Sequence, residues 1–155
     1  MARVAQAGGL SAAVPTVKEC RPVTKLPRRE LPPRLRVLVV EANMIIALDT
    51  EDMLRRHGAS AVDVAADAAE ALRLLAERAY GIALLDLRLP DAGCIAVAER
   101  LRELAVPFIF SAGYGEHAEN PPAFPAIPLV GKPFSESFLL ARLVAMLANG
   151  AKKRI

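Results

Sequence analysis

The chain has 155 residues, of which 54% are hydrophobic and 24% are charged, and it has no tryptophan. This length suits one domain with a tail, and no apolar run reaches the ~18 residues that a membrane-spanning helix needs. The two cysteines, Cys20 and Cys94, lie far apart and have no metal-ligand spacing. We therefore expect a cytoplasmic protein with reduced thiols.

The positive charge is concentrated at the start of the chain. Residues 1–34 carry seven lysines and arginines against two glutamates, a net charge of +5, so the remainder carries −2 within the total of +3. The same segment has five prolines and no helical or strand periodicity. We predict a flexible basic tail, which is either an anchor for an acidic partner or membrane surface or a solvated arm. The rest of the chain does not have the basic character of a nucleic-acid-binding module.

From residue 35 onward, short aliphatic runs alternate with amphipathic segments. The runs predict strands at 35–40, 60–65, 81–86, 107–112 and 126–132. The amphipathic segments predict helices at 43–58, 68–79, 93–104 and 136–149, because their apolar residues recur at helical spacing. Asp67 and Ser135 are predicted to cap helix N-termini, and Gly58 to cap a C-terminus.

This alternation indicates a parallel sheet with helices on both faces, over residues 35–149, followed by a short basic tail at 150–155. Ligands of such sheets bind beyond the carboxyl ends of the strands. Three of those ends carry ionisable residues, which are Glu41, Asp86 and Lys132. We expect the two acids and the lysine to meet in one crevice.

A carboxylate at the tip of a buried strand can act as a nucleophile towards a phosphoryl group. A cationic side chain and a metal ion commonly neutralise the charge that develops during this transfer. We therefore predict Asp86 as the phosphoryl acceptor and Lys132 as the counter-charge. Glu41 and Asp86 would contribute to a Mg²⁺ site, and the carbonyl of Arg88 could supply another oxygen ligand.

Four segments together make the sequence similar to the receiver domain of two-component response regulators; they are "VLVVEAN", "ALLDLRLPDAG", "PFIFSAGYGE" and "LVGKPF". The resemblance covers about residues 35–149. It implies a flavodoxin-like (βα)5 fold, a doubly wound parallel α/β sheet of strand order 2-1-3-4-5. Asp86 matches the family's phosphoacceptor and Lys132 its invariant lysine, and the Lys132–Pro133 bond is expected to be cis.

The segment "PFIFSAGYG" also resembles an alphaproteobacterial subgroup marked by Phe-Ala-Thr-Gly-Tyr, whose members are often stand-alone receivers in stress-signalling phosphorelays. Their fourth helix tends to be short or loose, and the prolines of 116–128 make a regular helix improbable there. The resemblance implies a signalling protein, not an enzyme. Its phosphoryl donor would be a sensor histidine kinase or a histidine phosphotransfer protein.

Two positions depart from the family pattern. The family usually has two adjacent acids after strand one, and the second generally binds Mg²⁺ directly, but here Glu41 is followed by Ala42. We expect a weakened Mg²⁺ site. The family's switch threonine or serine falls on Ala112, while Ser111 stands one residue early and is expected to point away from the pocket.

Two functions remain open from the sequence. One is phosphoryl acceptance on Asp86 with reduced metal affinity, and the other is a degenerate pseudo-receiver that binds partners without phosphorylation. A flavin-binding protein ranks below both, because no Ser/Thr/Gly-rich phosphate loop follows strand one. Apolar residues in the first turn of helix one (Met44, Ile45 and Leu48) either dock the donor or pack in the core. The apolar last helix could support a homodimer.

Overall fold

The computed structural model describes residues 30–113 and 119–152, and its five strands form one parallel sheet. The strands are β1 (Arg36–Val40), β2 (Ala61–Ala65), β3 (Ile82–Asp86), β4 (Phe108–Ala112) and β5 (Leu129–Gly131). Their order is β2-β1-β3-β4-β5, which confirms the predicted flavodoxin-like sheet. Each adjacent pair is parallel, so every carboxyl end lies at the same edge.

Helices cover both faces of this sheet. They are α1 (Met44–Arg56), α2 (Ala68–Glu77), α3 (Gly93–Glu103) and α4 (Glu136–Lys152), and a short 3-10 turn (Pro90–Ala92) precedes α3. Between β4 and β5, the described residues 119–128 form turns and no helix. This agrees with the prediction that the family's fourth helix is short or absent.

Local hydrogen bonds explain where the helices begin and end. Asn43 accepts bonds from the amides of the first turn of α1, and the carboxylate of Asp67 accepts one from the amide of Glu70 in α2. The Ser135 hydroxyl accepts a bond from the amide of Phe138 at the start of α4. Gly58 follows α1 at φ +102°, a conformation that glycine adopts without strain. The predicted caps at positions 58, 67 and 135 are therefore confirmed.

The alternation of side chains along the strands divides the core into two layers. Leu38, Leu85 and Phe110 belong to the layer that packs under α2 and α3. The intervening residues face the other side, where Val39 and Leu84 pack with side chains of α1 and α4. Strands that are covered on both faces are apolar almost throughout, which is why the sequence signal for them was strong.

The turns between β4 and β5 are attached to the first of these layers by a buried aromatic ring. Phe124 makes edge-to-face contacts with Phe108 and Phe110, at centroid distances of 5.8 and 6.2 Å. The side-chain Nδ2 of Asn120 donates to the backbone carbonyls of Phe124 and Ile127. These contacts fix a segment that has no regular secondary structure.

The folded region begins earlier than the sequence suggested. Leu31, which the sequence analysis assigned to the tail, is buried with the side chains of β1 and α1. Its amide donates to the carbonyl of His57 at 2.9 Å, which joins the incoming chain to the end of α1. Residues 1–29 of the predicted tail and the chain end (residues 153–155) lie outside the described residues.

Two element boundaries differ from the prediction by three residues. β5 is limited to Leu129–Gly131, although the sequence predicted 126–132, because Pro128 has no amide hydrogen for the ladder and Ile127 closes a turn. The last helix continues to Lys152 instead of stopping before Gly150. Gly150 does not take the positive φ that would end the helix as a cap.

The apolar face of α4 is used within the chain. Leu139, Leu140 and Leu143 are fully buried in the layer that they share with β1, β3 and α1. These side chains therefore do not form the dimer surface that the sequence suggested. Phe138 is the exposed large apolar side chain on this helix, and Arg142 lies over its ring. None of the described helices is long and apolar enough to cross a membrane.

An ionic cluster centred on Asp63 joins β2 to the segments around it. The carboxylate accepts bonds from Tyr80 at 2.7 Å, Arg78 at 2.8 Å and Arg36 at 3.2 Å. Burial acts to raise the pKa of Asp63, but these hydrogen bonds outweigh it and the pKa lies below its ordinary value. Burial and the hydrogen bond to Asp63 raise the pKa of Tyr80, so its hydroxyl remains a donor. The cluster should stabilise the fold while Asp63 is ionised.

Replacement of Asp63 by asparagine tests this cluster. Because charge-assisted bonds are lost, we expect Asp63→Asn to lower the free energy of unfolding by about 1–3 kcal/mol at neutral pH. The lowered pKa means that this contribution is present above the unfolded-state value of about 3.9 and is lost as the pH falls through the folded-state value. Urea unfolding of parent and variant at several pH values measures the difference.

Asp52→Asn is the control, because the exposed Asp52 pairs with Arg56 on α1 and its replacement should hardly change the free energy of unfolding. If the difference in unfolding free energy between the parent and Asp63→Asn stays constant down to the lowest pH, the ionised Asp63 is not what stabilises the fold.

Candidate functional site

Three ionisable side chains meet at the carboxyl edge of the sheet. Asp86 is the last residue of β3, and Glu41 and Lys132 directly follow β1 and β5. The amide of Glu41 donates to the carbonyl of Ala65 on β2, and that of Lys132 donates to the carbonyl of Ala112 on β4. The ladder therefore continues through both residues, and the backbone fixes the places from which their side chains extend.

The three side chains form one buried ionic cluster. The ammonium nitrogen of Lys132 lies 2.6 Å from Oε2 of Glu41 and 3.3 Å from Oδ2 of Asp86. The side chain of Lys132 is 10% exposed, and those of Glu41 and Asp86 are 6% and 5% exposed. An unpaired charge at this depth would be costly, so the lysine and the acids stabilise one another in this position. The predicted convergence of the three strand-end residues is what the structure shows.

The remaining carboxylate oxygens receive backbone donors. The amide of Asn43 donates to Oε1 of Glu41 at 3.0 Å, and the amide of Arg88 donates to Oδ1 of Asp86 at 3.0 Å. All four oxygens of the two acids therefore have a donor within reach. Arg88, proposed from the sequence as a carbonyl ligand, contacts Asp86 through its amide.

The loop after Asp86 has an unusual backbone. Asp91 and Ala92 have φ values of 58° and 53°, which place two consecutive non-glycine residues in the left-handed region. This conformation costs energy for residues with a Cβ atom, and it accompanies the turn by which the chain leaves the pocket and enters α3. The sequence did not predict this turn.

The two positions proposed for a switch lie on opposite faces of β4. Ile109 packs in the layer under α1 and α4, and Phe110 packs in the layer under α2 and α3. By alternation, Ser111 lies on the face of Ile109 and Ala112 on the face of Phe110. Both are buried.

Ser111 is also the register partner of Asp86, which lies on the same face. The expectation that Ser111 points away from the pocket stays a prediction.

An exposed apolar patch lies beside the cluster. Met44, Ile45 and Leu48, in the first turns of α1, are 50%, 81% and 55% exposed. Ala42 between them and Glu41 is also exposed. The alternative in which these side chains pack into the core is therefore wrong for this structure. The Lys132–Pro133 bond that follows the cluster is cis, as predicted.

Comparison with known families identifies this arrangement. The model of the response regulator receiver domain matches residues 37–144, which is more than half of the chain. The chain belongs to the receiver domain family. Receiver domains are signalling modules of two-component systems that interact with histidine kinases or phosphotransfer proteins, and they generally bind Mg²⁺ at the phosphorylation site.

Individual relatives agree with this assignment. The chain is 34% identical over 105 residues to the phyllosphere-induced regulator PhyR of Methylorubrum extorquens, covering 63% of this chain and 38% of PhyR. It is 33% identical over 116 residues to the transcriptional regulatory protein SrrA of Staphylococcus aureus, covering 68% of this chain and 48% of SrrA. The chain therefore aligns with less than half of the length of these curated relatives.

Solved structures show the same fold. A CheY-like receiver domain protein from Methanospirillum hungatei superposes with a TM-score of 0.67 at 26% identity, covering 77% of this chain and 98% of the other. The receiver domain of Erythrobacter litoralis PhyR superposes with a TM-score of 0.58 at 30% identity, covering 74% and 91%.

The donor set that this receiver offers to the family's Mg²⁺ lacks a side-chain oxygen at position 42. Magnesium needs several oxygen ligands in near-octahedral geometry. Within residues 30–113 and 119–152, no three histidine, cysteine or acidic side chains are placed to hold an ion. Ala42 has no side-chain oxygen, and the oxygens of Glu41 and Asp86 already accept bonds from Lys132 and backbone amides.

The role of Lys132 can be tested by removing its charge. Lys132→Met leaves two buried carboxylates without their cation, so we expect the free energy of unfolding to fall by about 3–5 kcal/mol. Denaturant unfolding at neutral pH measures the loss. Arg100→Met is the matched control, because Arg100 forms an exposed pair with Glu103 and its removal should cost less than about 1 kcal/mol. A Lys132→Met protein as stable as the parent would show that the cluster does not support the fold.

Proposed function

We propose that this receiver accepts a phosphoryl group on Asp86 from a phosphorylated histidine of a sensor kinase or a phosphotransfer protein. The observation that carries the proposal is the position of Lys132, whose ammonium lies 3.3 Å from Oδ2 of Asp86 at the carboxyl edge of the sheet. A compact positive charge at that place can neutralise phosphoryl oxygens. The relation to PhyR and other receivers supports the same reading.

The chemical step is a transfer between two nucleophiles. An oxygen of the Asp86 carboxylate forms a bond to phosphorus while the bond from phosphorus to the donor histidine nitrogen breaks. The histidine leaves with its electron pair and can take up a proton, and Asp86 becomes an acyl phosphate. Lys132 pairs with the phosphoryl oxygens and so has to loosen its contact with Glu41 or Asp86.

The donor would dock on the apolar patch of Met44, Ile45 and Leu48. Large apolar side chains that are half exposed or more, grouped on one helix end, mark a protein contact surface more often than scattered ones do. The patch begins one residue after Asn43, whose amide contacts Glu41. A partner seated there would reach the pocket.

The remaining expectations for this receiver are narrower. Its Mg²⁺ affinity should be well below that of receivers with two acids, because Ala42 supplies no ligand. Coupling from the pocket to the sheet should be weak, since Ala112 has no hydroxyl. We place the protein in the cytoplasm.

The thiol of Cys94 is free, and burial raises its pKa, so it is poorly reactive. A homodimer would have to use a surface other than the buried face of α4.

A second function is favoured by the pairing of Lys132 with Glu41. That contact, at 2.6 Å, is shorter than the contact with Asp86. If Lys132 stays with Glu41, this chain is a pseudo-receiver that signals by binding through its folded surface. The absence of an acid at position 42 and of a hydroxyl at position 112 also favours the pseudo-receiver.

Phosphorylation by acetyl phosphate separates the two functions. We expect the parent protein to gain one phosphate by intact mass, and Asp86→Asn to gain none, because the acceptor oxygen is gone. Asp91→Asn is the matched control, since Asp91 is an exposed acid in the loop after the same strand and should not change the adduct. No adduct on the parent would favour the pseudo-receiver, and an adduct that persists in Asp86→Asn would refute Asp86 as the acceptor.

Charge in the apolar patch tests donor docking. Ile45→Glu should lower the rate of transfer from the histidine kinase or phosphotransfer protein that labels the parent fastest, by about tenfold or more, because a charge is buried on docking. Labelling by acetyl phosphate should be unchanged. Leu104→Glu is the control, since Leu104 is a partly exposed apolar residue at the end of α3. Equal transfer rates for Ile45→Glu and Leu104→Glu would exclude the patch as the docking surface.

A further inference from the structure

The charge balance of the pocket differs from that of a receiver with two adjacent acids. With an acid at position 42, the pocket would hold three carboxylates and one ammonium, and repulsion among the carboxylates would favour a divalent cation. With Ala42, two carboxylates face the single ammonium of Lys132. Much of the repulsion is already neutralised by a group of the protein itself.

Both carboxylate oxygens of Glu41 already have a partner within the protein. One oxygen accepts the amide of Asn43 at 3.0 Å, and the other lies 2.6 Å from Lys132. The side chain is 6% exposed, so little of it is open to a hydrated ion. A cation that binds Glu41 would have to displace Lys132. Position 42 has no carboxylate that could bind the cation and compensate for the lost ion pair.

We propose that Glu41 in this chain is the counter-ion of Lys132 and not a metal ligand. The pocket then takes no divalent cation at ordinary concentrations. Glu41 also competes with the incoming phosphoryl group for Lys132 and so restrains phosphorylation. The statement about restraint rests on the proposed function, whereas the statement about the cation does not.

Thermal unfolding with and without MgCl2 tests the statement about the cation. The parent and Glu41→Gln should show no Mg²⁺-dependent change in Tm. Ala42→Asp, which restores the missing carboxylate, should be less stable without metal and should gain several degrees with Mg²⁺. A Mg²⁺-dependent rise in the parent Tm that disappears in Glu41→Gln would overturn the proposal. Ala42→Asp leaves Glu41 in place, so this comparison stands even if Glu41→Gln does not fold.

Labelling with acetyl phosphate tests the restraint, in the presence of chelator and of Mg²⁺. Transfer of the phosphoryl group to Asp86 breaks the bond from phosphorus to the acetyl oxygen and releases acetate. Glu41→Gln should label about fivefold faster than the parent, because Lys132 loses one competing ion pair. Chelator should change neither rate.

If Glu41 were a metal ligand, Glu41→Gln would label more slowly than the parent. Slower labelling of Glu41→Gln, together with loss of a Mg²⁺ effect, would overturn the restraint. Failure of the parent and of every variant to label would refute the proposed function and the restraint with it. The Tm comparison would still decide whether the pocket takes a divalent cation.

Discussion

The ion pairs of Lys132 with Glu41 and Asp86 are the interaction on which the pocket depends. The three residues stand at the ends of three strands, and Lys132 is 91 positions away from Glu41 in the sequence. They meet because the strands are parallel and because the alternation of each strand brings these side chains to one face. A shift of one residue in any register would place a charge in the opposite apolar layer. The fold and the pocket therefore specify one another.

The same ion pairs explain how this receiver departs from its family. A pocket with a second acid after β1 needs an external cation to balance its charge. Here Ala42 removes that acid, and Lys132 neutralises one of the two remaining carboxylate charges from within the chain. If Asp86 accepts a phosphoryl group as we propose, the step depends on how readily Lys132 leaves Glu41. In that proposal, the balance between the two contacts of Lys132 separates a working receiver from a binding module.

The sequence predicted the features that depend on local pattern. Aliphatic runs gave strands that end where the ionisable residues stand, and the caps at positions 58, 67 and 135 were correct because short polar side chains and glycine act on the nearest backbone groups. The convergence of Glu41, Asp86 and Lys132 was predictable because parallel strands share a carboxyl edge.

Features that depend on distant contacts were not predictable in this way. Nothing in the spacing of Leu31 shows that it packs against α1, and nothing around Asp63 shows that two arginines and a tyrosine converge on it. The preference of Lys132 for Glu41 is a matter of side-chain geometry that a one-dimensional pattern cannot contain.

The measurement that tests the central claim most directly is a double-mutant cycle on Lys132 and Glu41. Free energies of unfolding would be measured for the parent, Lys132→Met, Glu41→Gln and the double variant. If the two side chains stabilise one another as the structure shows, the cycle should give a coupling energy of about 1–3 kcal/mol. Effects that add to within about 0.5 kcal/mol would contradict the account, because independent side chains behave in that way.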